Sequence, residues 1–391
     1  KRPAALDAAE YHIVSRANVG NVSSFCMCPG GTVVNATAWE NRSMVQAVRS
    51  CGNPGRGGYD PSLRAGRVVY RCRETAGELF GCRPEQVVFT SNCTQGLNIA
   101  IRTLIRPGDR VVISGFEHNA VTRPLYAINA KITVAGRHLF DSEDMVTSFE
   151  NAVKNGTDAA VFTHCSNVFG YILPVKEIGK ICKKYGVPFI IDAAQAAGIL
   201  PISLRELGAE FIAMPGHKGL LGPQGTGMLL CGKLPDPLLC GGTGSLSALQ
   251  EMPDFLPDRG EAGTLNVPGI AGLSAGMQYL LREGINKICV REQKAARLCG
   301  KVLEEMGLQV FMGQEQIGTV SFVSRCDCEE AAKILAKHNI AVRSGLHCAP
   351  LAHESAGTLS TGTVRLSFGQ EASGEQVNTV KNILKNVAQW L

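Results

Sequence analysis

Lys218 lies in the glycine-rich run Met214-Pro215-Gly216-His217-Lys218-Gly219-Leu220-Leu221-Gly222-Pro223-Gln224-Gly225-Thr226-Gly227. Asp192 closes an apolar run, Val187-Pro188-Phe189-Ile190-Ile191-Asp192, 26 positions earlier. A lysine amine can form a Schiff base with an aldehyde, and a carboxylate can hold a pyridine nitrogen protonated so that the ring accepts electrons. Those are the two demands that pyridoxal 5'-phosphate makes of a protein. A lysine in a glycine-rich loop is weak evidence by itself; the pair in this order is stronger.

The surrounding elements must bring the two together. From about Glu85 to Leu230, apolar runs alternate with helix-period segments. Candidate strands are Gln86–Thr90, Arg110–Ser114, Lys131–Val134, Ala159–Thr163, Pro188–Asp192, Phe211–Met214 and Gly227–Cys231. Candidate helices between them include Thr94–Leu104, Ser142–Asn155 and Val175–Tyr185. Continuous apolar strands separated by helices predict an α/β fold with a mostly parallel sheet covered on both faces. Ligands of such sheets collect at the carboxyl ends of the strands, where Asp192, Ser91–Thr94 and Asn167 fall. The stretch Cys240–Gly263 reads as a long irregular loop, of the kind that is usually functional. Helical patterns follow from about Ile270 to Leu281 and on through Met306. Beyond them, Thr319–Val323, Glu329–His338, Ala341–Arg343, Thr363–Phe368 and Gly374–Leu391 suggest a smaller α+β domain. The expected division is a segment of uncertain role at 1–32, a large domain at 33–274 and a small C-terminal domain at 275–391.

Composition narrows the class. With 391 residues, 45% hydrophobic and 19% charged, the chain can bury a sizeable core. A net charge of +5, without a dense basic tract interleaved with aromatics, does not point to nucleic acid. No apolar run reaches the roughly 18 residues of a spanning helix, so no membrane is expected. The first 25 residues lack the apolar core of a signal peptide, and the cytoplasm is the default expectation. The chain opens on Lys1 rather than Met, as one trimmed from a longer chain would. Its fifteen cysteines are scattered, with Cys26/Cys28 and Cys326/Cys328 the closest pairs and no zinc-type spacing, so no metal is expected. Most are read as reduced thiols acting as small hydrophobes.

Seven ordered motifs resemble the fold-type I pyridoxal-phosphate enzymes of the class V aminotransferase group, specifically the group II cysteine desulfurase/selenocysteine lyase family, over about residues 33 to 391. They are Phe89-Thr90-Ser91-Asn92-Cys93-Thr94-Gln95-Gly96-Leu97-Asn98, Glu117-His118-Asn119-Ala120-Val121, Thr163-His164-Cys165-Ser166-Asn167-Val168, Asp192-Ala193-Ala194-Gln195, Gly216-His217-Lys218, Glu261-Ala262-Gly263-Thr264-Leu265-Asn266 and Arg343-Ser344-Gly345-Leu346-His347-Cys348-Ala349-Pro350.

The resemblance implies roles by position. Lys218 would hold the cofactor, and Asp192 its ring nitrogen, since opposite charges at contact favour both charged forms. His118 would stack on the ring and assist proton transfer. Asn167 and Gln195 would meet the phenolic oxygen, with Thr94 and His217 at the phosphate and Cys93 among the cofactor-binding residues. Thr264 resembles a threonine delivered from a second subunit, which implies a homodimer with shared active sites. The bland alternative for Thr94 is an ordinary helix N-cap. Cys348, in its short loop, resembles the sulfur nucleophile, with His347 and Arg343 as candidates for stabilising its thiolate. Arg365 resembles the guanidinium that grips a substrate carboxylate in bidentate fashion, and Arg343 and Asn35 join it as expected substrate contacts. Two positions depart from the family pattern. Val33-Val34-Asn35-Ala36-Thr37-Ala38 replaces the usual opening run, and Pro215 stands where many relatives carry a phosphate-binding hydroxyl.

The activity that this resemblance implies is conversion of L-cysteine to L-alanine, with a persulfide formed on Cys348 and passed to an acceptor protein for iron–sulfur cluster or thiocofactor assembly. L-selenocysteine is the alternative substrate, and transamination or epimerisation the alternative chemistry. A non-catalytic protein that keeps the fold for binding is the alternative outside catalysis; the intact Lys218, Asp192, His118 and Arg365 argue against it.

Overall fold

The computed structural model describes residues 38–391, apart from positions 56 and 371. Asn35 and the segment 1–32 lie outside the described residues. The helices are α1 (Ala38–Ser50), α2 (Asp60–Phe80), α3 (Cys93–Leu104), α4 (Asn119–Ala127), α5 (Ser142–Lys154), α6 (Val175–Tyr185), α7 (Leu204–Leu207), α8 (Val267–Glu283), α9 (Ile285–Glu305), α10 (Cys328–Lys337), α11 (Pro350–Ser355) and α12 (Gly374–Asn386).

Seven strands form the large sheet: β1 (Val87–Thr90), β2 (Arg110–Ser114), β3 (Lys131–Ala135), β4 (Ala159–Thr163), β5 (Phe189–Asp192), β6 (Phe211–Pro215) and β7 (Gly227–Cys231). Their order is β1-β7-β6-β5-β4-β2-β3, and only β7 runs against the others. This is the expected mostly parallel α/β sheet. Side chains alternate between its two faces, as the period of two requires. Phe89, Val112, Phe162, Ile191 and Met214 join one apolar core. Their neighbours Val88, Val111, Val161, Ile190 and Ala213 join the other. Burial on both sides is why these strands read as unbroken apolar runs.

A second, four-stranded antiparallel sheet contains β8 (Gln309–Phe311), β9 (Thr319–Val323), β10 (Arg343–Gly345) and β11 (Thr363–Ser367), in the order β10-β11-β9-β8. With α9, α10 and α12 it encloses a third core that includes Phe322, Leu366 and Phe368. Helix α8 runs without a break through position 275. Among the described residues, no helix is long and apolar enough to cross a membrane.

Candidate active site

The carboxyl ends of β1, β4, β5 and β6 open onto one cavity of about 130 Å³, whose wall includes Cys93, His118, Asn167, Asp192, Gln195 and Lys218. Thr94 and His217 also line it. The fold thus gathers residues from five separate segments around a single space.

Lys218 follows β6 in a turn built on close approaches. A Cβ on Gly216 would collide with the Thr226 hydroxyl, and one on Gly227 would meet the Asn92 main chain at 2.8 Å. Burial pushes the Lys218 amine below its usual pKa; Asp192 and Cys93 oppose that shift, and Arg365 and Arg343 add to it. A shift in that direction favours the neutral, nucleophilic amine that attack on a carbonyl needs.

Asp192 ends β5 and is buried. The Ala194 N–H donates to its Oδ1 at 2.8 Å, and the Cys93 thiol donates to the same oxygen at 3.4 Å. Among the described residues both bonds fall on Oδ1, which leaves Oδ2 as the acceptor for a ring N–H. Asn92 caps α3 by accepting from the Gln95 N–H at 2.9 Å, so Thr94 is not the cap. The unpaired N–H groups at this end of α3 face an anion more readily than a neutral group.

His118 caps α4, its Nδ1 accepting from the Ala120 N–H at 3.0 Å. Burial lowers its pKa, so the neutral ring carries its hydrogen on Nε2. Glu117 is fully buried. Its Oε1 accepts from the Ser114 hydroxyl and, at 2.8 Å, from the Thr163 N–H, which joins the ends of β2 and β4.

Asn167 connects the cavity to the second sheet. Its Nδ2 donates to the His347 carbonyl at 2.8 Å, and its own carbonyl accepts from Arg365 Nη1 at 2.6 Å. Its Oδ1 is buried without a hydrogen-bond partner among the described residues, an acceptor awaiting a donor. Arg365, on β11, stands opposite Arg343 in register. Arg343 Nη2 in turn donates to Cys348 Sγ at 3.4 Å.

Cys348 is exposed. It and His347 both adopt left-handed backbone, with φ of 58° and 53°. Each such non-glycine residue costs on the order of 1–3 kcal/mol and persists only where neighbours hold it. Here the Asn119 N–H donates to the Cys348 carbonyl at 2.8 Å, alongside the Asn167 bond to His347. Of the two candidates for stabilising the Cys348 thiolate, His347 and Arg343, only the arginine carries a charge. Burial first, then Arg365, His353 and Arg343, push the His347 pKa down to about 2, so the ring is neutral and Arg343 is the cation at the thiol.

The other thiols differ in kind. Burial drives Cys72, Cys182 and Cys299 up to about 12. They stay protonated and inert, as expected for thiols acting as hydrophobes.

Thr264 is exposed and lies away from the cavity wall of its own chain. Its loop is anchored by Glu261, which accepts from the Phe89 N–H and from Arg73 Nη2, both at 2.6 Å, in a buried ion pair. Neither Arg73 nor His353 is apparent from the sequence. A charged residue on a helix's buried face and a histidine beyond the motif leave no signal in spacing.

The residues present fit pyridoxal phosphate. The cavity offers a deprotonatable amine, a half-satisfied carboxylate, an anion-favouring helix end and an orphaned amide oxygen.

Comparisons with known proteins agree in direction. A family model described as aminotransferase class-V matches residues 34–380. A second, described as FAD-dependent protein, C-terminal domain-like, matches residues 1–50. A probable cysteine desulfurase of Methanothermobacter thermautotrophicus is 35% identical over 352 residues, 86% of this chain and 88% of that protein. One from Pyrococcus abyssi is 30% identical over 378 residues, 91% of this chain and 93% of that protein. Among solved structures, the apo cysteine desulfurase of Thermococcus onnurineus superposes with a TM-score of 0.81 at 30% identity, covering 90% of this chain and 92% of that one.

Proposed function

This chain belongs to the aminotransferase class-V family, and from that premise we propose that it is a pyridoxal-phosphate-dependent cysteine desulfurase that forms its persulfide on Cys348. The observation that supports this most is the joining of two sites. Asn167, in the wall that holds Lys218 and Asp192, is hydrogen-bonded to the turn that presents the exposed Cys348.

When bound, the cofactor supplies an aldehyde carbon for amines and a ring that draws electrons from the substrate's α-carbon. Lys218 would hold that carbon and then carry the α-proton as a base of lowered pKa. Asp192 Oδ2 would hold the ring nitrogen, and the end of α3 with Thr94 and His217 would hold the phosphate. His118 would lie against the ring, and Asn167 and Gln195 would meet its phenolic oxygen. Arg365 takes the substrate carboxylate, assisted by Arg343.

The Cys348 thiolate then attacks the substrate sulfur. A sulfur–sulfur bond forms, the carbon–sulfur bond breaks, and its electron pair goes to the β-carbon, which takes a proton to become the methyl group of L-alanine. The persulfide passes its outer sulfur to an acceptor thiol, on a carrier protein for iron–sulfur cluster or thiocofactor assembly. We place this chemistry in a homodimer, with Thr264 of each chain completing the other's phosphate site. Its surface position supports that arrangement.

The test is product analysis with L-cysteine, with and without a thiol reductant. The proposal expects L-alanine in both cases and free sulfide in quantity only with reductant. Pyruvate in place of alanine would overturn it.

A further inference from the structure

Two histidines stand behind the Cys348 turn. The rings of His347 and His353 are stacked, with centroids 5.7 Å apart and an interplanar angle of 24°. Both are almost wholly buried, at 2% and 0% exposure. His347 Nε2 lies 3.1 Å from Thr363 Oγ1 on β11. His353, on α11, places its Nδ1 2.8 Å from Thr358 Oγ1. Phe169 packs against His353 at 5.9 Å, and Phe311 against Phe169 at 4.8 Å.

Both rings are neutral, since burial pushes His353 down to about 4 and His347 to about 2. Two imidazolium rings at this distance would repel, and Arg343 and Arg365 already face His347. A neutral stack is therefore compatible with the cations around it.

The stack sits under the strained part of the chain. The two main-chain tethers hold the carbonyls of His347 and Cys348. Neither fixes the His347 side chain, whose Cα is one of the two left-handed positions. The ring contact with His353 and the Thr363 bond do. A buried aromatic wedge of this kind removes the freedom by which such a turn would relax.

We infer that His353 is a positioning residue for Cys348, holding the left-handed turn through the His347 ring so that the sulfur stays beside Arg343. This rests on the reading of Cys348 as the sulfur nucleophile. His353 touches neither substrate nor cofactor, and acts through its neighbour.

The experiment compares His353→Ala and His353→Phe in the cofactor-loaded full chain. Two quantities are read: hydrogen exchange at the Asn119 amide, whose acceptor is the Cys348 carbonyl, and single-turnover persulfide formation. In His353→Ala, Asn119 should exchange faster, and persulfide formation should slow by about 10–100-fold, the cost of a misplaced reacting group. The KM for L-cysteine and the cofactor absorbance should not change. His353→Phe, which keeps a ring against His347, should recover most of the rate. Native exchange and native rate in His353→Ala would overturn the inference, as would a phenylalanine variant no better than alanine. If His353→Ala does not fold, His353→Leu fills the space without a ring to stack on His347 and should move both readouts in the same direction; native values there count against the inference. A native chain that forms no persulfide, while the exchange difference stands, would indict the nucleophile assignment and leave the positioning role intact.

Discussion

The side-chain amide of Asn167 donates across 2.8 Å to the main-chain carbonyl of His347, tying the carboxyl edge of the large sheet to the turn that carries Cys348. A base at one site and a thiol at the other are thereby held in fixed relation, although they come from different sheets. Losing a buried hydrogen bond of this sort costs about 1–3 kcal/mol. Asn167→Ala should therefore still bind the cofactor but slow persulfide formation by roughly 10–100-fold. Stopped-flow mixing with L-cysteine, followed by acid quench, measures that rate. An unchanged rate would mean that the tether is not needed.

Lys218 makes a different demand. In the proposed reaction its lowered pKa would serve both cofactor attachment and proton transfer. Lys218→Ala should lose the cofactor's visible band on desalting and reduce turnover by at least about 10²–10⁴-fold, the usual loss for a missing general base. Spectra of the desalted protein and an alanine assay check both parts.

Arg73 and Glu261 form a buried ion pair at 2.6 Å, with side chains only 7% exposed. Removing one partner leaves the other charge stranded, at a cost of about 3–5 kcal/mol. Arg73→Ala should lower the urea midpoint accordingly, and should loosen the loop that presents Thr264. A variant as stable as the native chain would show that Glu261 is satisfied without it.

Glu117 predicts a pH effect on stability. Burial raises its pKa from 4.5 to about 8, against the opposing bonds from Ser114 and Thr163. Between those values the folded chain keeps a proton that the unfolded chain has released. Its contribution to stability is thus fully present below about pH 4.5 and is lost as pH rises through about 8. Glu117→Gln, which cannot ionise, should gain stability relative to the native chain as pH rises across that window. Urea denaturation of both proteins at pH 5 and pH 8 checks the sign, and a difference that does not grow with pH would contradict it.

Much of the fold was legible because burial on two faces leaves unbroken apolar runs. Arg110–Ser114, Ala159–Thr163 and Gly227–Cys231 are strands over the spans that their apolar patterns predict. Helix α2 was not legible, because its buried face includes Ser62, Arg73, Thr75 and Gly77, which hide the apolar stripe. Strand β8 has three residues, none fully buried, and so lacks a pattern to read. At the site, the motifs mark Lys218, Asp192, His118 and Asn167, and the fold gathers them at one cavity. What no spacing could show is contact across the chain. Asn167 meets His347 180 positions away, and Cys93 meets Asp192 99 positions away. The neutral state of the His347 ring is hidden for the same reason, since its sequence neighbours do not reveal that it is buried beside Arg365 and His353.

The central claim is that sulfur leaves cysteine onto one particular thiol. The most direct measurement is peptide mass spectrometry, without reductant, of the cofactor-loaded chain and its Cys348→Ala variant after mixing with L-cysteine. The account predicts one added sulfur atom on Cys348 in the native chain. In the variant it predicts the cofactor's colour retained, no added sulfur and no L-alanine. Alanine formed at the native rate by Cys348→Ala, or the added sulfur found on another cysteine, would contradict it.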